Sequence, residues 1–334
     1  MVISKTPYRI SFFGGGTDYP TWYLKKDGAV LSTTIDKYCY ITCRTLPPFF
    51  SHKYRIVWSH IEHISNVSEI LHPAVRECLR FVEMDNDDIG LEITHQGDLP
   101  ARSGMGSSSS FVVGLINALM AYKGKMIGKH ELAMNAIEME QSRLQENVGS
   151  QDQVAVAYGG FNVIRFYSDG EISVEPVTIS SERIMELESR LMLFYTGSNR
   201  FASEIANEVI SKLEKKQKVL SRMQSMVDDA VSILNGTGSL DNFGIMLHKN
   251  WELKQSISEV ISNATINKIY KIAIDNGSLG GKLLGAGSAG FMVFYVPLEK
   301  QSNVKDALYS YLHVPFHFDR GGSSIVYYKP RCKK

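Results

Sequence analysis

Two spacings of apolar residues alternate along this chain and predict a mixture of strands and helices. Ile89, Leu91 and Ile93 fall on alternate positions and predict a strand. Apolar and β-branched runs predict further strands over 2–13, 29–45 and 54–58. Val75, Leu79 and Val82 recur at helical spacing and predict a helix over 72–84. A nearly continuous apolar run predicts a helix over 107–121, and a third helix follows over 129–144. Segment 146–153 is polar and contains Gly149, so it reads as a loop. Residues 160–167 and 172–177 flank Asp169-Gly170 and predict a hairpin. The second half changes character. A strand over 191–195 leads into a helical stretch, 202–234, stopped by Asn235-Gly236. Helices over 241–257 and 265–275, a glycine-rich loop, a strand over 291–296, a helix over 300–312 and a strand over 324–328 complete the chain. The simplest architecture is α+β in two mixed layers, with domains 1–185 and 186–334.

Three glycine-rich segments interrupt this pattern. The first, Gly14-Gly15-Gly16-Thr17-Asp18, follows a strand and lets the backbone turn sharply or approach a ligand. A tight turn with a solvated aspartate is the plainer reading of it. The second runs from Pro100 to Ser110 and includes Arg102, Ser103, Gly104, Met105, Gly106 and four consecutive serines. It precedes the apolar helix. A helix N-terminus offers unpaired amides and a positive dipole end to a phosphate. The hydroxyls of Ser107 and Ser108 add donors or a cation ligand. One serine would suffice as a helix cap; four serines and two glycines exceed that need. The third segment, Gly280 to Gly290, contains Gly285-Ala286-Gly287-Ser288-Ala289-Gly290. A dinucleotide fold would place a helix after this GxGxxG, whereas a strand is predicted there, so that fold is rejected. No GxxxxGK[ST] occurs, nor any HRD or DFG, which argues against P-loop NTPases and protein kinases.

Composition narrows the picture little further. The 334 residues carry 36 basic and 35 acidic side chains, net +1, with no signal for nucleic acid or an anionic membrane as partner. No apolar run reaches the ~18 residues of a membrane helix. The four cysteines, Cys39, Cys43, Cys78 and Cys332, fit no zinc spacing and read as reduced thiols, which points to the cytoplasm.

The three segments, in this order, resemble the motifs of the GHMP kinases, over residues 3 to 328. The first motif resembles Pro7-Tyr8-Arg9-Ile10-Ser11-Phe12-Phe13-Gly14-Gly15-Gly16-Thr17-Asp18-Tyr19. The second, PxxxGLGSSAA, resembles Pro100 to Ser110, with Met105 in place of Leu and Ser109-Ser110 in place of the alanines. The third resembles Lys282 to Gly290. The resemblance implies an N-terminal domain like the second domain of ribosomal protein S5, an α+β C-terminal domain, and an active site between them. It implies ATP and Mg²⁺ as cofactors. Pro100, Arg102, Gly104, Met105, Gly106, Ser107, Ser108 and Ser109 would hold the nucleotide. By position, Asp152 resembles the catalytic aspartate, Glu140 and Ser108 the magnesium ligands, and Arg9 the arginine beside the transferred phosphate. Phosphoryl transfer needs such positioning and charge neutralisation rather than covalent help. Segment 58–66 would lie near the adenine.

The form Gly14-Gly15-Gly16-Thr17-Asp18-Tyr19-Pro20 replaces the Glu and His of the galactokinase motif with glycine. It resembles the sugar-kinase branch that contains D-glycero-D-manno-heptose 7-phosphate kinase and the kinase part of bifunctional fucokinases. Gly15, Gly16, Asp18, Gly285 and Gly287 would face the acceptor. Arg200, in the stretch from Tyr195 to Ser203 that resembles TGxxRxA, would read the acceptor's phosphate, the alternative being a surface arginine. The expected reaction is ATP plus heptose 7-phosphate to the 1,7-bisphosphate, by a monomer or homodimer. Another kinase of the family (fucokinase, galactokinase or mevalonate type) is the first alternative. A non-catalytic sugar- and nucleotide-binding relative is the second, and it would lack the aspartate or a metal ligand.

Overall fold

The computed structural model describes residues 1–85, 90–197 and 202–330, with the side chains of 202–206 and 209 left aside. Alternating burial begins in the first strand, β1 (Val2–Phe13), and gives way to burial on both faces from Thr6 onward. A helix of one turn, α1 (Pro20–Tyr23), separates β1 from the long β2 (Gly28–Leu46). Then come β3 (Tyr54–Val57), β4 (Ile61–Ile64), α2 (Pro73–Phe81) and β5 (Gly90–Gly97). Three helices follow: α3 (Ser107–Tyr122), α4 (Lys129–Glu138) and α5 (Gln151–Tyr158). The hairpin β6 (Phe161–Phe166) and β7 (Ile172–Pro176) closes the first half.

The remainder is α6 (Ser181–Ser189), β8 (Leu191–Tyr195), α7 (Ala202–Leu213), α8 (Gln217–Asn235), α9 (Asp241–Gln255) and α10 (Ala264–Asp275). It ends with β9 (Gly280–Leu283), β10 (Phe291–Tyr295), α11 (Gln301–Ala307), β11 (Leu312–His313), β12 (Phe318–Asp319) and β13 (Ser324–Tyr328).

Two sheets organise these elements. The first has nine strands, ordered β13-β1-β2-β5-β3-β4, with β6 and β12 also pairing β2 and β7 pairing β6. The second is ordered β11-β8-β10-β9 and is antiparallel throughout. The last two strands thus return to the first sheet. A cut of the chain at 185/186 would part β12 and β13 from the strands they complete.

Helix α3 explains much of the first core. Phe111, Val112, Val113, Leu115, Ile116, Ala118 and Leu119 are all buried, and each large apolar side chain so placed contributes roughly 1.5–3 kcal/mol. Gly114 lets α3 come down onto β1: a Cβ there would lie 2.9 Å from Thr6 Oγ1, and Ser4 Oγ donates to Gly114 O at 2.7 Å. At the far end of β1, Phe12 and Phe13 meet Phe243 of α9 edge-on, with centroids 5.4 and 5.1 Å apart. Helix α8 supplies Val227 against Gly14 and Leu220 against Gly16. The first glycine segment is therefore roofed by helices from the second half of the chain.

Five expectations need correction. Residues 146–153 are not all loop, because α5 begins at Gln151. Its first turn is polar because it faces the site, and its buried apolar residues, Val154 to Ala157, begin only after position 153. Helix α6 was not expected at all, although Ser180 caps it by accepting from the Arg183 amide. Residues 280–283 form β9 rather than loop. Glycine suits that strand because a Cβ on Gly280 would strike the Gly244 carbonyl of α9, and one on Gly281 the Phe294 ring. The helix expected over 300–312 stops at Ala307, since Leu312 and His313 are drawn into the second sheet by Tyr195 and Phe194. The helical stretch 202–234 is also divided, by a 3₁₀ turn at Glu214–Lys216.

Candidate active site

The site assembles at the N-terminus of α3. Gly104 and Gly106 sit at φ +77° and +74°, a conformation glycine adopts without strain, so the loop turns into the helix at once. The first-turn amides at Ser107 to Ser109 lack partners within a helix and point outward. Beside them Arg9 of β1 is held by three contacts. Its amide donates to Met105 O at 3.1 Å. Its Nη1 donates to Gly104 O at 2.7 Å. Its Nε and Nη2 donate to Asp152 Oδ1 and Oδ2 at 2.7 and 2.6 Å. Arg9 is 3% exposed and Asp152 23%, so the carboxylate reaches solvent while its counterion does not.

Asp18 is the second carboxylate. Its Oδ1 accepts from the Gly16 amide at 2.9 Å and its Oδ2 from Gln151 Nε2 at 2.8 Å. Its carbonyl accepts from the Ser150 amide at 2.8 Å, which ties the first glycine segment to α5. Burial pushes its pKa up, and the charge of Asp152 adds to the shift. Gly16 serves Asp18, with its amide as a fixed donor. Gly15 has open space where a Cβ would project.

Glu140 occupies a single π-helical turn, Met139–Arg143, that continues α4, the kind of irregularity that often marks functional positions. It is fully buried. Its Oε2 accepts from Ser109 Oγ at 2.8 Å and from Gln153 Nε2. Its Oε1 has no partner among the described residues. Burial pushes the carboxyl up to about 8, against the pull of Ser109, Gln153 and Ser108. A buried carboxylate oxygen without a donor calls for a proton or a cation. Glu140 with the exposed Ser108 hydroxyl nearby is an all-oxygen set that suits Mg²⁺.

The third glycine segment packs on the second, backbone to backbone. A Cβ on Gly285 would lie 2.5 Å from Gly104 Cα, and the Phe291 amide donates to Ser103 O at 3.2 Å. Gly287 has another reason to be glycine, since its Cβ would fall 2.8 Å from Ile261 Cα, away from the acceptor residues. Pro100 and Arg102 are exposed on the loop, and the Arg102 amide donates to Ser107 Oγ at 3.0 Å. Arg200 lies outside the described residues. The structure thus joins Arg9, Asp18, Gly104, Met105, Gly106, Asp152 and Gly285 directly, with Ser109 and Glu140 beside them.

Segment 58–66 approaches α3 through stacked rings. Trp58 meets His72 edge-on at 4.8 Å, and His72 stacks on Phe111 at 4.8 Å. Histidines assigned no role pack in the same manner, His60 on Trp58 and His95 on Phe111.

Four neighbours were given no role from the sequence. Gln151 donates to Asp18 and Gln153 to Glu140. Lys254 of α9 donates to Gly285 O at 2.6 Å, and the buried Lys282 donates to Phe12 O at 3.0 Å. The signal for Gln151 and Gln153 was their one-residue spacing from Asp152. Nothing local distinguished Lys254 from its helix's other lysine, Lys249.

The GHMP kinases N terminal domain pattern matches residues 72–160, and the GHMP kinases C terminal pattern matches 229–313. The chain is 32% identical over 320 residues to D-glycero-alpha-D-manno-heptose 7-phosphate kinase of Campylobacter jejuni, covering 91% of this chain and 92% of that protein. It is 26% identical to the bifunctional fucokinase/GDP-fucose pyrophosphorylase of Arabidopsis thaliana, over 90% of this chain but 30% of that longer protein. Among solved structures, a D-glycero-D-manno-heptose 1-phosphate kinase from Bacteroides thetaiotaomicron superposes with a TM-score of 0.80 at 25% identity, covering 97% and 98% of the two chains. The two family domains, and a relative 32% identical over 91% of this chain, place this chain in the GHMP kinase family.

Proposed function

We propose that this GHMP kinase transfers the terminal phosphate of ATP to D-glycero-D-manno-heptose 7-phosphate, giving the 1,7-bisphosphate. One observation carries the reading: Asp152 is fixed bidentately by a buried Arg9 directly beside the Gly104–Gly106 loop. The loop and the first turn of α3 would hold the triphosphate through backbone amides and serine hydroxyls. Each Asp152 oxygen keeps a free lone pair after bonding Arg9, enough to orient the acceptor hydroxyl and take its proton. As the acceptor's hydroxyl oxygen bonds the terminal phosphorus and its proton passes to Asp152, the bond to the bridging oxygen breaks and ADP leaves. Arg9 and Gly104 stay fixed throughout, so no reorganisation accompanies the charge shift. Asp18 would accept a hydrogen bond from a ring hydroxyl. Glu140 and Ser108 would hold Mg²⁺, which supplies charge neutralisation on the phosphates.

The choice of acceptor rests on the similarity to the Campylobacter jejuni enzyme along nearly the whole chain. We take the two domains as 1–185 and 186–334 with β12 and β13 returned to the first, and the site as lying between them. Among the described residues no helix is long and apolar enough to cross a membrane; we place the protein in the cytoplasm, as a monomer or homodimer. The test is a coupled ADP assay with heptose 7-phosphate, fucose, galactose, mannose and mevalonate, with Asp152→Ala as control. Turnover with heptose 7-phosphate at least tenfold above the others is expected. Preference for fucose or mevalonate would overturn the acceptor, and no ADP from any acceptor would overturn catalysis.

A further inference from the structure

Two lysines reach the site from the second half of the chain. Lys282 of β9 is 2% exposed, and its Nζ donates to Phe12 O at 3.0 Å. Asn250 of α9 donates to the same carbonyl at 3.2 Å, leaving its own buried Oδ1 without a partner among the described residues. Lys254, one helical turn further along α9, is half-buried; its Nζ donates to Gly285 O at 2.6 Å and Leu283 O at 3.5 Å. Every hydrogen bond that either amino group donates among the described residues goes to a backbone carbonyl.

The charges do not balance. Arg9 of β1, Lys254 of α9 and Lys282 of β9 act on one another, with Asp18 of the glycine turn and Asp152 of α5 as the opposing carboxylates. Asp152 is matched by Arg9, and burial pushes Asp18 toward its neutral form. Two lysine amino groups are left facing carbonyl dipoles. Burial, and then the charge of Arg9, holds Lys254 down at about 8, and Lys282 lies well below the usual lysine range for the same first reason. Buried or half-buried cations are normally paired with an anion.

Resting on the kinase reading, we propose that Lys254 is a phosphate-binding residue of this site, its ammonium leaving the Gly285 carbonyl edge to bond a phosphoryl oxygen held between the third glycine segment and Asp18. Lys282 is too buried to touch a ligand. The phosphoryl group is either the acceptor's own phosphate or the terminal phosphate of ATP, and both present the same oxyanion.

Calorimetric titration of the whole protein with inorganic phosphate and with tripolyphosphate, at pH 8, tests this without turnover. Wild type should bind at least one of them with fractional proton uptake, read from buffers of different ionisation enthalpy. Lys254→Met should weaken that binding about tenfold or more and lower the uptake, while Lys254→Arg restores binding to within about threefold. A Tm for each variant reports any folding defect. In kinetics, a KM raised only for phosphorylated sugars assigns the acceptor's phosphate. A kcat lowered alike for phosphorylated and free sugars assigns the transferred group. The proposal is overturned if wild type binds neither anion, or if Lys254→Met binds them within twofold of wild type. Absence of any wild-type ADP release would sink the kinase reading and leave the titration result standing on its own.

Discussion

Gly149 abuts Asp18 so closely that a Cβ on the glycine would collide with Asp18 Oδ2. The residue after it, Ser150, donates its amide to the Asp18 carbonyl at 2.8 Å. Two segments more than 130 residues apart in the chain are thereby locked together beside the Asp18 carboxylate. Gly149→Ala must displace the Asp18 carboxylate. We expect the acceptor KM to rise about tenfold with the ATP KM within twofold. In a cycle with Asp18→Asn the two effects should fall short of additive, since both act through one carboxylate. Full additivity in steady-state kinetics would show that Gly149 acts elsewhere.

Asp152→Asn keeps the shape of the side chain and removes the proton acceptor. A loss of roughly 10²–10⁴ in kcat is expected for such a group. Arg9, 3% exposed, also loses its counterion, so unfolding free energy should fall by about 1–3 kcal/mol, measured by urea titration. A variant retaining more than a tenth of wild-type kcat would remove Asp152 from the chemistry.

Glu140 gives a pH signature. Its folded value of about 8 lies above the ordinary carboxyl range. The folded state therefore holds the proton more tightly than the unfolded chain, and this contribution is full below about pH 4.5 and lost as pH rises toward 8. In metal-free buffer the Tm should decline from pH 6 to pH 8.5. Glu140→Gln, neutral throughout, should flatten that decline. Adding Mg²⁺ should raise the Tm of wild type at pH 8.5 and leave the variant unmoved. A scan in which both proteins follow the same curve would count against the metal role.

The two glycine positions 15 and 285 separate local packing from ligand contact. Gly285 lies at φ +76° with its Cβ direction 2.5 Å from Gly104 Cα. Gly285→Ala should push the third segment off the phosphate loop and lower kcat about a hundredfold, because small misplacements are severe in phosphoryl transfer. Gly15 has nothing within 4 Å of its Cβ position. Gly15→Ala should leave the Tm within about 1 °C, so an activity loss there would report an approaching acceptor directly.

Much was legible because it is local. Helix α3 was marked by an apolar run with glycines and serines before it, and β1, β8 and β13 by apolar or β-branched runs of strand length; all four fall within a residue of expectation. Arg9 and Asp152 were named from motif position before any geometry joined them. Helix α5 was lost because its first turn faces the site, where polar residues mimic a loop. Strand β9 was lost because its glycines answer to α9 lying across it, and α9 is distant in sequence.

What the amino-acid order settled alone was the set of elements with strong periodicity and the three glycine segments, since both depend on neighbours within a few residues. The tertiary structure decided which charges meet: Arg9 with Asp152, Asp18 with Gln151, Lys254 with the Gly285 carbonyl. Pairing across such separations depends on how strands register and how helices roof them, and single-residue preferences carry no information about either.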